Sequence, residues 1–118
     1  MKKIVLAVFM AAMALSLSAQ INFREGGFAE ALEAAKSENK LVFMDCYTSW
    51  CGPCKALAKD IFTRKDVGDF FNANFINVKY DMEKGEGKEL NKRYKANIIG
   101  FPTLLLIDKK GKVVHQMA

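Results

Sequence analysis

The sequence predicts an α/β fold, a mixed central sheet with helices on both faces. Three observations carry this. Short apolar runs with strand character alternate with segments of helical periodicity. Strand, helix and strand follow one another closely enough for a parallel, right-handed crossover. A hairpin pattern then closes the chain with an antiparallel edge.

Residues 1–19 stand apart from that domain. Lys2 and Lys3 precede an unbroken apolar run from Ile4 to Leu15, and small residues fill Ser16 to Ala19. This is the pattern of a cleavable secretory signal. The competing reading, a membrane anchor, needs roughly 20 apolar residues, and Ile4 to Ala19 supplies 16. Cleavage after Ala19 leaves a single domain, 20–118, and loss of the two lysines lowers the formal charge from +5 to +3. The remaining basic residues are interleaved with acids, which describes a solvated surface and argues against nucleic-acid binding. Export places the chain where disulfides form and persist, in the periplasm or outside the cell.

Within the domain, Ile21 to Phe23 reads as a short first strand. Gly26-Gly27 opens a helix with Phe28, Leu32 and Ala35 on one face, ending near Glu38 at Asn39-Lys40. Leu41 to Met44 is a buried strand. After the cysteines, Leu57, Ala58, Ile61 and Phe62 keep helical spacing. Thr63-Arg64-Lys65-Asp66 resembles a capping box for a further helix with Val67, Phe70 and Phe71 inward. Phe75 to Tyr80 alternates as a strand, and residues 81–87 form a polar loop. Alternate acids there evoke a calcium loop, but Gly85 stands at a ligand position and the closing glutamate is misplaced. Glu89 to Lys95 is helical, with Leu90 and Tyr94 on one face. Thr103 to Ile107, the turn Asp108 to Gly111, and Lys112 to Met117 make the hairpin. The last strand has no covering helix in sequence, so either the sheet stays partly open or the chain is the front of a longer protein.

The chemistry concentrates in Asp45-Cys46-Tyr47-Thr48-Ser49-Trp50-Cys51-Gly52-Pro53-Cys54-Lys55. Three cysteines leave one unpaired in any disulfide framework, and a C-x-x-C loop is too short to staple a fold. Zinc wants four ligands, and only His115 could join them. Electron exchange fits better. At a strand end and helix start, the Cys51 sulfur meets free backbone N–H groups and the positive helix end, which favour thiolate. Pro53 suits the first turn. Cys54, one turn on and more buried, can resolve a mixed disulfide formed at Cys51. Lys55 adds positive charge. Asp45, a carboxylate in an apolar strand, has the raised pKa that suits a proton acceptor, with Lys79 on the next strand as its partner. The alternative is an Asp that merely caps the loop. Cys46 reads as a small core residue, and Trp50 either packs or shapes a docking surface.

Trp50-Cys51-Gly52-Pro53-Cys54-Lys55, with Asp45 upstream, Val78-Lys79-Tyr80-Asp81 and Gly100-Phe101-Pro102-Thr103 in the same order, resembles the thioredoxin-like family, in particular its secreted bacterial branch of thiol-disulfide oxidoreductases. The likeness covers most of 24–117. It implies a thioredoxin-like fold lacking the family's C-terminal helix, with Pro102 cis, where an X-Pro bond costs little. It implies a redox-active Cys51–Cys54 disulfide, with Asp45 and Lys79 assisting catalysis. Substrate would lie on Trp50, Gly52, Pro53, Phe101, Pro102 and Thr103. No cofactor or metal is implied. Expected partners are disulfide-containing proteins and a membrane or soluble thiol donor, for a monomer serving redox homeostasis; cytochrome c assembly is one client pathway the likeness implies. Potentials in such proteins run from ~−270 to ~−120 mV, about 7 kcal/mol of disulfide stability, and Gly-Pro sides with the reducing end. Cys46 and Tyr47 replace an aromatic pair usual in the family, and the 81–87 loop is longer. The rival class is a non-catalytic thioredoxin-fold module that binds proteins, in which Asp45 and Lys79 would be an unexplained cost.

Overall fold

The computed structural model describes residues 20–118, so the expected signal segment 1–19 lies outside the described residues. The elements are α1 (Phe28–Glu38), β1 (Leu41–Tyr47), α2 (Gly52–Asp60), α3 (Lys65–Asn74), β2 (Phe75–Asp81), α4 (Glu86–Arg93), β3 (Thr103–Ile107) and β4 (Val113–Met117). They build one four-stranded sheet of order β2-β1-β3-β4. β1 and β2 are parallel, with Asp45 opposite Lys79, while β3 runs antiparallel to both β1 and β4.

Side chains alternate across β1, and this divides the interior in two. Val42, Met44 and Cys46 join the larger core with Phe28, Ala31 and Ala35 of α1, Leu90 of α4, and Leu105 and Ile107 of β3. Phe43 faces the other way, into a smaller aromatic core with Ile21 and Phe62, flanked by Leu57 of α2 and Phe71 of α3. The Phe43 ring meets Phe71 edge-on at 4.7 Å. Full burial of one such side chain contributes roughly 1.5–3 kcal/mol.

Three local expectations fail for identifiable reasons. Ile21 to Phe23 forms no strand: its neighbourhood is held by single bonds, Ile21 N–H to the Phe62 carbonyl at 2.9 Å and Arg24 N–H to the Asn77 carbonyl at 2.8 Å. The capping box does not form, because Thr63 donates backwards to the Lys59 carbonyl and Asp66 pairs with Arg64, which is itself the N-cap. Phe70 points outward, while Val67 and Phe71 pack inward. β2 forms where expected, and its middle is enclosed on both faces: Ile76, Asn77 and Val78 are all buried, and the Asn77 side-chain N–H donates to the Phe71 carbonyl at 3.1 Å.

Residues 81–87 shape the fold more than a polar loop suggests. α4 starts at Glu86, three residues earlier than its apolar spacing indicates, and the Glu86 carboxylate accepts the Phe28 N–H at 3.0 Å. It thereby caps α1, whose own N-cap Gly27 offers no side chain. Gly87 lies so close to the Asp81 carbonyl that a Cβ would stand 1.7 Å from that oxygen. The Asp108 carboxylate sets the hairpin turn by accepting the Lys110 and Lys112 N–H groups, each at 2.9 Å, and those bonds hold its pKa below the usual value. On β4 only Val113 is part-buried, and His115 is exposed.

Candidate active site

β1 delivers Asp45 and then ends, Thr48 to Trp50 form a turn, and Cys51 is the N-cap of α2. Cys51 and Cys54 form a disulfide, with Cα atoms 5.3 Å apart. The Cys54 N–H points at the Cys51 sulfur from 3.1 Å. Pro53 occupies the first turn, as its missing N–H requires. Gly52 borders open space. The expected gradient of burial between the cysteines is not seen: Cys51 is 3% exposed and Cys54 5%.

The cis-proline loop lies at the start of β3. The Phe101–Pro102 bond is cis, Thr103 is buried, and its hydroxyl donates to the Gly100 carbonyl. Phe101 meets the Trp50 ring edge-on at 6.2 Å. Trp50 is 65% exposed, so its ring does not serve the core; its indole N–H donates to Glu83 at 2.9 Å. Glu83 is no candidate in the sequence, since one of three acids in a polar loop carries no signal for a bond to a tryptophan 33 residues away.

Behind the disulfide, Asp45 is 3% exposed, and its Oδ1 has no hydrogen-bond partner. Loss of hydration pushes its pKa up to about 6, against the opposing charge of Lys79. Lys79 itself is exposed, and its ammonium lies over the Phe23 ring, 5.1 Å from the centroid, rather than in an ion pair with Asp45. A cavity of about 170 Å³ connects Asp45 with Cys54, Lys55 and Lys79. Its wall also includes Thr48, which sequence reasoning passed over; its hydroxyl is buried without a protein partner. Cys46, on the opposite face of β1, is fully buried, and burial pushes its thiol up to about 12. Among the described residues no group of His, Cys, Asp and Glu side chains is placed to hold a metal ion. No helix among them is long and apolar enough to cross a membrane.

A disulfide-forming pair at a helix N-terminus, beside a tryptophan that meets the cis-proline loop and backed by a buried acid, is the site of a thioredoxin-like oxidoreductase. Comparison with known proteins agrees. A family profile described as a thioredoxin-like domain matches residues 28–118, and the chain belongs to that family. A solved Bacteroides thetaiotaomicron protein, described as a candidate disulphide-isomerase, superposes with a TM-score of 0.73 at 50% identity over 86% of this chain and 82% of that one. The thioredoxin of Echinococcus granulosus is 33% identical over 73% of each chain. The thiol:disulfide interchange protein DsbD of Actinobacillus pleuropneumoniae is 34% identical over 68% of this chain, which spans only 14% of that protein's length.

Proposed function

We propose that this protein reduces or isomerises disulfides of other proteins outside the cytoplasm, through the Cys51-Gly52-Pro53-Cys54 dithiol. The observation that carries it is a Cys51–Cys54 pair with Asp45 in the cavity against Cys54. In the reduced form the Cys51 thiolate, steadied by the Cys54 N–H and the α2 dipole, attacks a substrate disulfide. One substrate sulfur leaves as thiolate and takes up a proton. Asp45 accepts the Cys54 proton, and Cys54 then attacks Cys51, which releases the second substrate sulfur and forms the bond seen here. Two electrons have passed to the substrate, and a thiol donor, membrane-bound or soluble, must return them. Lys79 tempers the basicity of Asp45 by its charge. Trp50, Gly52, Pro53, Phe101 and Pro102 form the surface for the substrate chain, whereas Thr103, expected on it from the sequence, is fully buried and ties the loop to the Gly100 carbonyl instead. The basic, then apolar, then small-residue start of the sequence supports export.

Insulin reduction driven by a small dithiol tests this. Wild type should accelerate precipitation of the insulin B chain and Cys51→Ser should not. Equal activity, or none in either, would leave a protein-binding module as the better reading.

A further inference from the structure

Among the described residues three buried side-chain polar atoms have no protein partner, Asp45 Oδ1, Thr48 Oγ1 and Asn77 Oδ1, and two of these residues, Asp45 and Thr48, line one cavity. Thr48 is 1% exposed. It leaves the strand and turns toward Trp50, with its carbonyl accepting the Cys51 N–H at 3.3 Å. Buried polar atoms in native proteins find partners, commonly ordered water where the site is polar and roomy. The cavity that Asp45, Thr48 and Cys54 line together, about 170 Å³, has space for such water. Were Thr48 a packing residue, Val would fill its place without stranding a hydroxyl.

We propose that Thr48 is a positioning residue for Asp45: its hydroxyl, through water held in their shared cavity, donates toward the Asp45 carboxylate and sets the pH at which Asp45 can take the Cys54 proton. The other groups facing Asp45 are few. β2 presents Lys79, α2 presents Lys55 and Cys54, β1 contributes Tyr47, and β3 places Leu104 opposite. Both cations are solvent-facing, so the hydroxyl is the buried neutral donor of the set. A donor to the charged form of an acid lowers its pKa. The balance of the exchange is unchanged: the Cys54 proton passes to the Asp45 carboxylate, the Cys51–Cys54 bond forms, and the substrate sulfur leaves with the electron pair of the broken bond.

This rests on the exchange function proposed above, so the test has a readout independent of it. The Asp45 carboxyl is titrated by ¹³C NMR in the oxidised wild type, Thr48→Val and Thr48→Ser. Loss of one donor to a charged group should raise the Asp45 midpoint in Thr48→Val by about one pH unit, a tenfold change in its acidity. Thr48→Ser should restore it. In the reduced proteins, the rate of mixed-disulfide resolution below pH 7 should fall about tenfold in Thr48→Val and recover in Thr48→Ser. Thr48→Val should melt no lower than wild type. An unchanged midpoint in Thr48→Val, or a Ser variant that behaves like Val, overturns the proposal even if the enzyme is active. A shifted midpoint in a protein that exchanges no disulfides upholds the hydroxyl's effect on Asp45 and overturns the exchange function instead. If Thr48→Val does not fold, Thr48→Ala is read in the same way.

Discussion

Asp45→Asn tests whether the buried carboxyl is as costly as its surroundings imply. The side chain keeps its shape and loses its charge. Asp45 titrates near 6 in the fold against an ordinary 3.8, so its charged form is disfavoured by about two pH units, or about 3 kcal/mol. The folded pKa is the higher one, which means that folding takes up a proton between the two values. The stability tied to the protonated acid is complete below about pH 4 and is lost as pH rises through 6. Asp45→Asn should therefore differ little from wild type near pH 4. Its advantage should grow through pH 5–6 and level off near 3 kcal/mol by pH 7.5, about 12–24 °C in melting temperature for a domain of this size. Urea unfolding of both oxidised proteins at four pH values measures this directly. A stability difference that does not change with pH, or an Asn variant weaker than wild type at pH 7.5, would show that Asp45 is not a strained carboxylate and would remove the basis for its proton-accepting role.

Two further predictions concern residues away from the exchange chemistry. Cys46 should resist alkylation at pH 8 in the folded protein and react only on unfolding, since its thiol is fully buried and pushed up to about 12; Cys46→Ala should retain insulin reduction and lose about 1–2 kcal/mol of stability to the small cavity, and a labelled native Cys46 would refute this. Gly87→Ala should cost upwards of about 2 kcal/mol, because its methyl would meet the Asp81 carbonyl at 1.7 Å; a melting temperature within a degree of wild type would mean that the Asp81–Gly87 turn yields more easily than its contacts imply.

The site was legible in sequence where chemistry needs particular residue types at fixed spacing. Cys51, Pro53 and Cys54 announce a helix start, and Asp45 stands out because carboxylates are rare inside apolar strands. What stayed hidden depends on contacts between distant segments. Nothing local to Asp81–Gly87 shows that Glu83 meets Trp50 or that Glu86 caps α1, since those partners lie 33 and 58 residues away in the chain. Thr48 was passed over because a threonine after a strand is ordinary, and only the cavity it shares with Asp45 gives it meaning. Thr63 to Asp66 shows the reverse failure. The pattern fitted a cap, but Thr63 sits one turn past α2 and finds the Lys59 carbonyl, while Asp66 finds Arg64.

The contrast between Asp45 and Cys46 follows from the pleat of β1. Consecutive residues point to opposite faces, so Cys46 enters the larger core beneath α1 and α4, while Asp45 faces α2 and the cavity behind the disulfide. A one-residue slip of β1 would exchange them. It would bury a carboxylate among Phe28, Leu90 and Leu105 and set a third thiol beside the exchanging pair. The register that prevents this is fixed on both sides, by Phe43 opposite Asn77 and Leu106, and by Met44 opposite Val78 and Leu105. Phe43 anchors it through a ring enclosed by Phe62, Phe71 and Phe75, contacts that a slip to the other face would break. The aromatic cluster on the site's own side of the sheet thus holds the acid against Cys54 and keeps the spare cysteine away from it.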